Sequence, residues 1–278
     1  MNTKRNKQNK TNINKKTKKN RYKPSFKILQ LGYPLYASKK YKGDELLEYQ
    51  KKAEKESNNS CLLDNSSWFG DYDVAKSYET KETKLYRWKT KKRTNLLNIN
   101  PKNADYFKKI FLNTKTKLIP TIYLSEKQIK TIKYDHPYIK MTTNEKAYYE
   151  FCFAFGYIDV KEQVDFMKLI KYLIENNYIT MLTREGKSVV TKMNIKINYY
   201  QLNHFSIKDN QLNRLSFYHL DKHAMMNLCK CVSKEIAGVY QKNTNSFWFP
   251  DFIVYKMNIQ EYILFNPHHN LVYEKLIE

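Results

Sequence analysis

Hydrophobic and polar positions split the chain into a polar head and a long patterned body. Residues 1–23 hold a single aliphatic side chain, Ile13, too little apolar surface to offset the entropy of ordering, so they read as a disordered basic arm. The body, residues 24–278, reads as one domain with a helical and strand insertion at about 113–213. Phe26 to Tyr36 is apolar but interrupted by Gly32 and Pro34, which predicts at least one short strand. Asp44 opens a helix through about Ser57, because Leu46, Leu47 and the stem of Lys51 fall on one face. Cys61–Gly70 is turn-rich, and Asp71 or Asp73 can cap a short helix through Ala75 to Tyr78.

Lys84 to Arg93 alternates. Leu85, Arg87, Lys89 and Lys91 share one side, and Tyr86, Trp88, Thr90 and Lys92 the other, which is the period of a strand with one basic and one aromatic face. Leu96 to Ile99 extends it into the interior. Helices are expected at 102–113 and 144–154. The cleanest lies at 161–177, where Phe166, Met167, Ile170, Leu173 and Ile174 recur at helical spacing. The cleanest strand is 189–199. A strand at 214–219 leads into a helix from Asp221 through Ala237, followed by Gly238-Val239-Tyr240, an aromatic loop, Phe252–Tyr255 and the apolar strand Glu261–Phe265, which Asn266-Pro267 stops. Strands and helices mix without regular alternation, so the fold class is α+β.

Composition narrows the class. A chain of 278 residues with 41% hydrophobic and 15% aromatic side chains can bury a core without metals or disulfides. The six glycines stand apart, so neither a G-x-G-x-x-G turn nor a P-loop can be drawn. Net charge is +23 and uneven: residues 1–23 carry ten Lys or Arg and no acidic group, while residues 146–278 carry 16 basic and 13 acidic. That polarity points to nucleic acid or another polyanion held by the arm and first half, through Lys15, Lys16, Lys18, Lys19 and Arg21 and through Lys91, Lys92 and Arg93. Lysines outnumber arginines 44 to 6, so such binding is expected to follow the phosphate backbone and to weaken with salt.

Cys61, Cys152, Cys229 and Cys231 include only one close pair, a C-x-C that does not readily close on a helix or strand. No disulfide is expected, and a reducing intracellular compartment fits, either host cytoplasm or a virion if the source is viral. No apolar stretch is long enough for a membrane partner. His219 and His223 have zinc-like spacing, but Cys229 and Cys231 diverge on a helix, so no metal is expected. His268-His269 reads as a solvated turn. The aromatics from Tyr148 to Tyr157 sit among Glu145, Glu150 and Asp159, which favours core over a base-stacking platform.

Three separated segments, in order, resemble the ADP-ribosyltransferase superfamily of toxins and poly-ADP-ribose polymerases. Leu35-Tyr36-Ala37-Ser38 stands in place of its aromatic-His/Arg-Gly-Thr/Ser strand. Trp68-Phe69-Gly70-Asp71 with Val74-Ala75-Lys76-Ser77-Tyr78 resembles its second segment, and Leu96-Leu97-Asn98-Ile99 the segment after the next strand. Glu261-Tyr262-Ile263-Leu264-Phe265-Asn266-Pro267 resembles its last strand. The resemblance implies split antiparallel sheets with flanking helices and NAD as substrate. It gives Glu261 the catalytic role and Tyr36, Ser38, Ser67, Phe69 and Tyr78 contacts to the dinucleotide. Ala37 falls where the family carries His or Arg, and Gly70 removes the usual hydroxyl. Two functions follow as expectations: transfer of ADP-ribose from NAD to a macromolecular acceptor, with activity weakened or lost, or a non-enzymatic basic nucleic-acid-binding protein that retains the fold.

Overall fold

A computed structural model describes residues 23–57, 61, 67–179, 181–182, 188–189, 206–207, 212–213, 218–243 and 259–277. The apolar segment after Pro24 forms two strands, β1 (Phe26–Leu29) and β2 (Pro34–Lys39). Helix α1 (Gly43–Ser57) follows, then β3 (Trp68–Gly70) and the short α2 (Tyr72–Ser77). Asp71 caps α2, its Oδ1 accepting from Val74 N–H at 3.0 Å. The alternating segment is β4 (Lys84–Thr90), in which Tyr86, Trp88 and Thr90 are buried as the pattern requires, and so is Leu85 on the basic side.

Thr94–Ile99 does not extend β4. It is a separate strand, β5, because the chain turns at Lys91–Arg93. Thr90 fixes the end of β4 by accepting from Tyr33 N–H and donating to the Gln30 carbonyl. Helices α3 (Ala104–Asn113), α4 (Glu126–Thr131), α5 (Pro137–Lys140), α6 (Thr143–Ala154) and α7 (Val160–Glu175) come next. Two small ladders pair β6 (Met181–Leu182) with β7 (Ser188–Val189) and β8 (Ser206–Ile207) with β9 (Leu212–Asn213). Most of the strand expected at 189–199, and Phe252–Tyr255, lie outside the described residues. Helix α8 (Tyr218–Cys231) begins where the strand at 214–219 was expected to end and stops six residues before Ala237. The chain closes with β10 (Gly238–Asn243), β11 (Ile259–Leu264) and β12 (Leu271–Leu276).

Eight strands make one curled sheet in the order β1-β5-β10-β11-β3-β2-β4-β12. Neighbours run antiparallel except β10 beside β5. The architecture is therefore α+β with a mostly antiparallel sheet. Alternation along the strands sends two residue sets to two faces. Leu29, Leu35, Ala37, Phe69, Trp88, Tyr262 and Leu264 form one core with Leu46 of α1. Leu97, Ile99, Val239 and Ile263 form the other with α3, α6 and α8.

Helix α6 is apolar nearly all round because it is buried on both sides. Phe151 and Ala147 face the sheet-side core, while Tyr149 and Phe153 join Phe166, Leu169 and Leu173 of α7 in a third cluster. The aromatic stripe is core. At Gly238 the strands approach so closely that a Cβ would stand 2.0 Å from the Ile263 carbonyl oxygen, so no other residue fits there without moving β10.

The cysteine expectation is overturned. Cys61 and Cys229 are joined by a disulfide across 168 residues, with Cα atoms 5.8 Å apart, while Cys152 and Cys231 are free. Sequence spacing drew attention to the C-x-C pair, but a partner so distant in the chain becomes visible only once α8 packs in the core. The bond also removes the cysteine argument for a reducing compartment. No helix among the described residues is long and apolar enough to cross a membrane.

Candidate functional site

The centre of the sheet brings Leu35–Ser38, Trp68–Gly70 and the strand of Glu261 onto adjacent strands, while Leu96–Ile99 lies apart on β5. Glu261 on β11 pairs with Gly70 on β3, and Gly70 pairs with Tyr36 on β2. The row continues outward to Gln241 on β10 and to Arg87 on β4. Directly paired residues point to the same side of a sheet, so Gln241, Glu261, Tyr36 and Arg87 share one face.

Helix α2 lies over this face. A Cβ at Gly70 would stand 2.8 Å from the Val74 side chain, so the glycine lets α2 settle onto β3 beside Glu261. Ser38 Oγ donates to the Ala75 carbonyl at 2.6 Å and ties α2 to β2. The Tyr36 ring meets Tyr72 edge-on, with centroids 5.7 Å apart, and the Arg87 guanidinium stands 5.9 Å from the Tyr36 centroid. Arg87 in turn pairs with Glu274 at 2.9 Å. Burial holds the Glu261 carboxyl above its ordinary range, and no hydrogen bond among the described residues offsets it. An acidic side chain kept desolvated at the centre of a sheet costs stability, and functional positions are where such costs concentrate.

The structure sorts the residues implied by the resemblance. Tyr36 and Glu261 come together on one face. Ser38 is beside them, but its hydroxyl is engaged by α2. Tyr78 ends α2 with its side chain largely exposed. Ser67 is fully buried and its hydroxyl has no partner among the described residues.

Phe69 lies on the face opposite Glu261, 3% exposed and edge-on to Trp88 at 5.3 Å, because residues one apart in a strand alternate sides. The same alternation turns Ala37 away from Glu261. It sits in the α1-side core opposite Tyr86, so Tyr36 is the residue that β2 presents beside Glu261. Ala37→His should therefore not restore a cofactor contact. Forcing an imidazole against Trp88 and Tyr86 is expected to cost about 1–3 kcal/mol or more, read as a lower melting temperature.

Lys91, Lys92 and Arg93 are exposed on the β4–β5 turn, though Lys91 Nζ donates to the His268 carbonyl at 2.7 Å. Lys15, Lys16, Lys18, Lys19 and Arg21 lie outside the described residues. A surface depression lined by Tyr134, Asp135, His136, Asp159, Glu162 and Asp165 shares no residue with the row.

The turn at His268-His269 is also corrected. His268 is mostly buried, and both imidazoles reach Glu54 of α1. Sequence reasoning missed Glu54 because nothing along the chain links residue 54 to 268. No protein-family model, no curated protein and no solved structure matches the chain.

Proposed function

We propose that the chain is an ADP-ribosyltransferase-like protein that uses the Tyr36–Gly70–Glu261 row to cleave NAD and pass ADP-ribose to a macromolecular acceptor. One observation carries the reading: three segments singled out by their resemblance, far apart in the chain, pair as adjacent strands with Tyr36, Gly70 and Glu261 in register.

In the reaction the bond between the ribose C1′ and the nicotinamide nitrogen breaks, and its electron pair leaves with neutral nicotinamide. The ribose becomes oxocarbenium-like, and a nucleophilic oxygen or nitrogen of the acceptor attacks C1′ and gives up its proton. Glu261, ionised, stabilises the developing positive charge and holds the ribose 2′-hydroxyl, and its desolvated setting strengthens that interaction. Tyr36 and Tyr72 offer an aromatic wall for the nicotinamide ring.

A second reading draws on the exposed Lys91, Lys92 and Arg93: a protein that retains this fold and binds nucleic acid without turnover. Calorimetry of the full chain with NAD separates them. We expect saturable binding with Kd no tighter than about the upper end of ordinary enzyme KM values, near 1 mM, since no basic residue of β2 stands beside Glu261. No heat of binding at several millimolar NAD would leave only the second reading.

A further inference from the structure

Glu54, His268 and His269 form a cluster that the proposed NAD chemistry does not use. The Oε2 atom of Glu54 lies 2.7 Å from His268 Nε2 and 2.8 Å from His269 Nε2, and these ligand-type atoms all fall within 4.8 Å of one another. From this geometry we infer that the chain carries a divalent transition-metal site of the zinc type, with two imidazoles and one carboxylate as ligands, clamping α1 to the turn that follows β11.

The local fold explains the convergence. Asn266 adopts a left-handed backbone (φ 53°) and Pro267 is buried, so the chain leaves β11 in a sharp turn that turns both imidazoles toward α1. Lys91 Nζ donates to the His268 carbonyl, which fixes the turn from the β4 side and keeps that ammonium engaged with the backbone rather than with Glu54. Glu54 projects from the last turns of a helix that packs against β12 and the turn itself. Two adjacent histidines lose rotamer freedom to meet one carboxylate, and His269 does so although its side chain is 53% exposed. The imidazole centroids stand 4.2 Å apart.

The donor set is apt for the ion. Imidazole nitrogen and carboxylate oxygen suit zinc and its neighbours, and three protein ligands leave a fourth tetrahedral position for water. Zinc at about 2.0–2.1 Å from each ligand holds the ligand atoms roughly 3.4 Å apart, so parting the two contacts to Glu54 by about 0.6–0.7 Å admits it. In the metal-free protein both Nε2 atoms donate to the Glu54 carboxylate, so a bound metal takes the place of those protons, and the His268 ring proton moves to Nδ1, which is buried with no hydrogen-bond partner among the described residues. Bound metal then stabilises the fold by mass action, since the unfolded chain lacks the assembled site.

Cobalt(II) titrated into the chelator-washed full chain tests the site independently of any reading of the sheet row. The expected result is one equivalent per chain, an intense visible d–d band of four-coordinate cobalt, and a melting temperature that rises with cobalt concentration. Glu54→Gln and His269→Ala should each weaken cobalt binding by more than about 100-fold, beyond the effect of losing an outer-layer partner, and each should abolish the band. Both side chains are at least partly exposed, so circular dichroism of the metal-free variants should match the parent chain. Absence of the band in the parent chain, or its survival in either variant, would overturn the proposal.

Discussion

Glu261→Gln is expected to abolish ADP-ribosyl transfer and NAD hydrolysis while leaving NAD binding within a few-fold of the parent chain. The change is nearly isosteric and removes only the negative charge, which matters far more when the ribose is oxocarbenium-like than in the ground state. Losing one such electrostatic group costs about 100- to 1,000-fold in turnover, so kcat should fall at least that far with KM nearly constant. The pH profile supplies a second reading of the same residue. Burial raises the Glu261 carboxyl above its ordinary value of 4.5, and in the proposed reaction the ionised form is the active one. Parent activity should therefore fall as pH drops through a value higher than an ordinary carboxylate gives, and Glu261→Gln should lack that acidic limb.

Stability should move the other way. A group whose folded pKa is raised gives stability that is fully present below its unfolded pKa and lost as pH rises through the folded one. At neutral pH the ionised Glu261, with no hydrogen-bond partner among the described residues, is a burden, so Gln should leave the fold equal or more stable. Equal turnover in parent and variant would show that Glu261 does not carry the chemistry. A large fall in melting temperature at neutral pH would show that its carboxylate is structural.

Much of the fold is legible where the pattern is local. The two-residue alternation of Tyr86, Trp88 and Thr90, the helical spacing from Phe166 to Ile174 and the capping aspartate Asp71 each report on their own neighbourhood, and each forms the element expected. What is illegible depends on tertiary contact. β12 shows only a weak pattern because it is an edge strand, with Val272, Glu274, Lys275 and Leu276 exposed. Whether β4 continues or turns is set by Thr90 bonding to the β1–β2 turn, far back in the chain.

The same division runs through the site. Glu261 could be singled out as a carboxylate in an apolar strand, but which residue of Leu35–Ser38 faces it is a question of register. A shift of one position exchanges core and site. That shift separates Tyr36 from Ala37, and it places Phe69 in the core. The Cys61–Cys229 bond and the Glu54–His268–His269 cluster are likewise unions of distant segments, each made of residue types that alone carry little signal.

Glu150 should give the largest loss of stability of any substitution argued here. Its carboxylate is fully buried in α6 and accepts from Thr121 N–H at 2.7 Å, Ile122 N–H at 2.9 Å and Tyr138 Oη–H at 2.6 Å. The first two donors belong to the extended segment between α3 and α4, so one side chain supplies acceptors that no secondary structure provides there. Burial is the dominant influence on its carboxyl and raises it, while the three hydrogen bonds pull the other way. Lys146, one turn earlier and also buried, adds a favourable opposite charge.

Glu150→Ala strips the acceptors from two backbone N–H groups, leaves the Tyr138 phenol with the longer bond to the Ile122 carbonyl at 3.2 Å, and opens a void between α6 and that segment. We expect a cost of about 3–5 kcal/mol from the orphaned donors and the cavity together. Glu150→Gln keeps the shape and one oxygen for Ile122 and Tyr138, but its amide nitrogen meets the Thr121 N–H donor to donor. Its cost should be smaller, about 1–3 kcal/mol. Denaturant titration of the three chains measures both steps, with the midpoints falling in the order parent, Gln, Ala. An Ala variant within about 0.5 kcal/mol of the parent, the range of an ordinary surface change, would mean that water replaces the carboxylate at no cost and that Glu150 does not hold this segment.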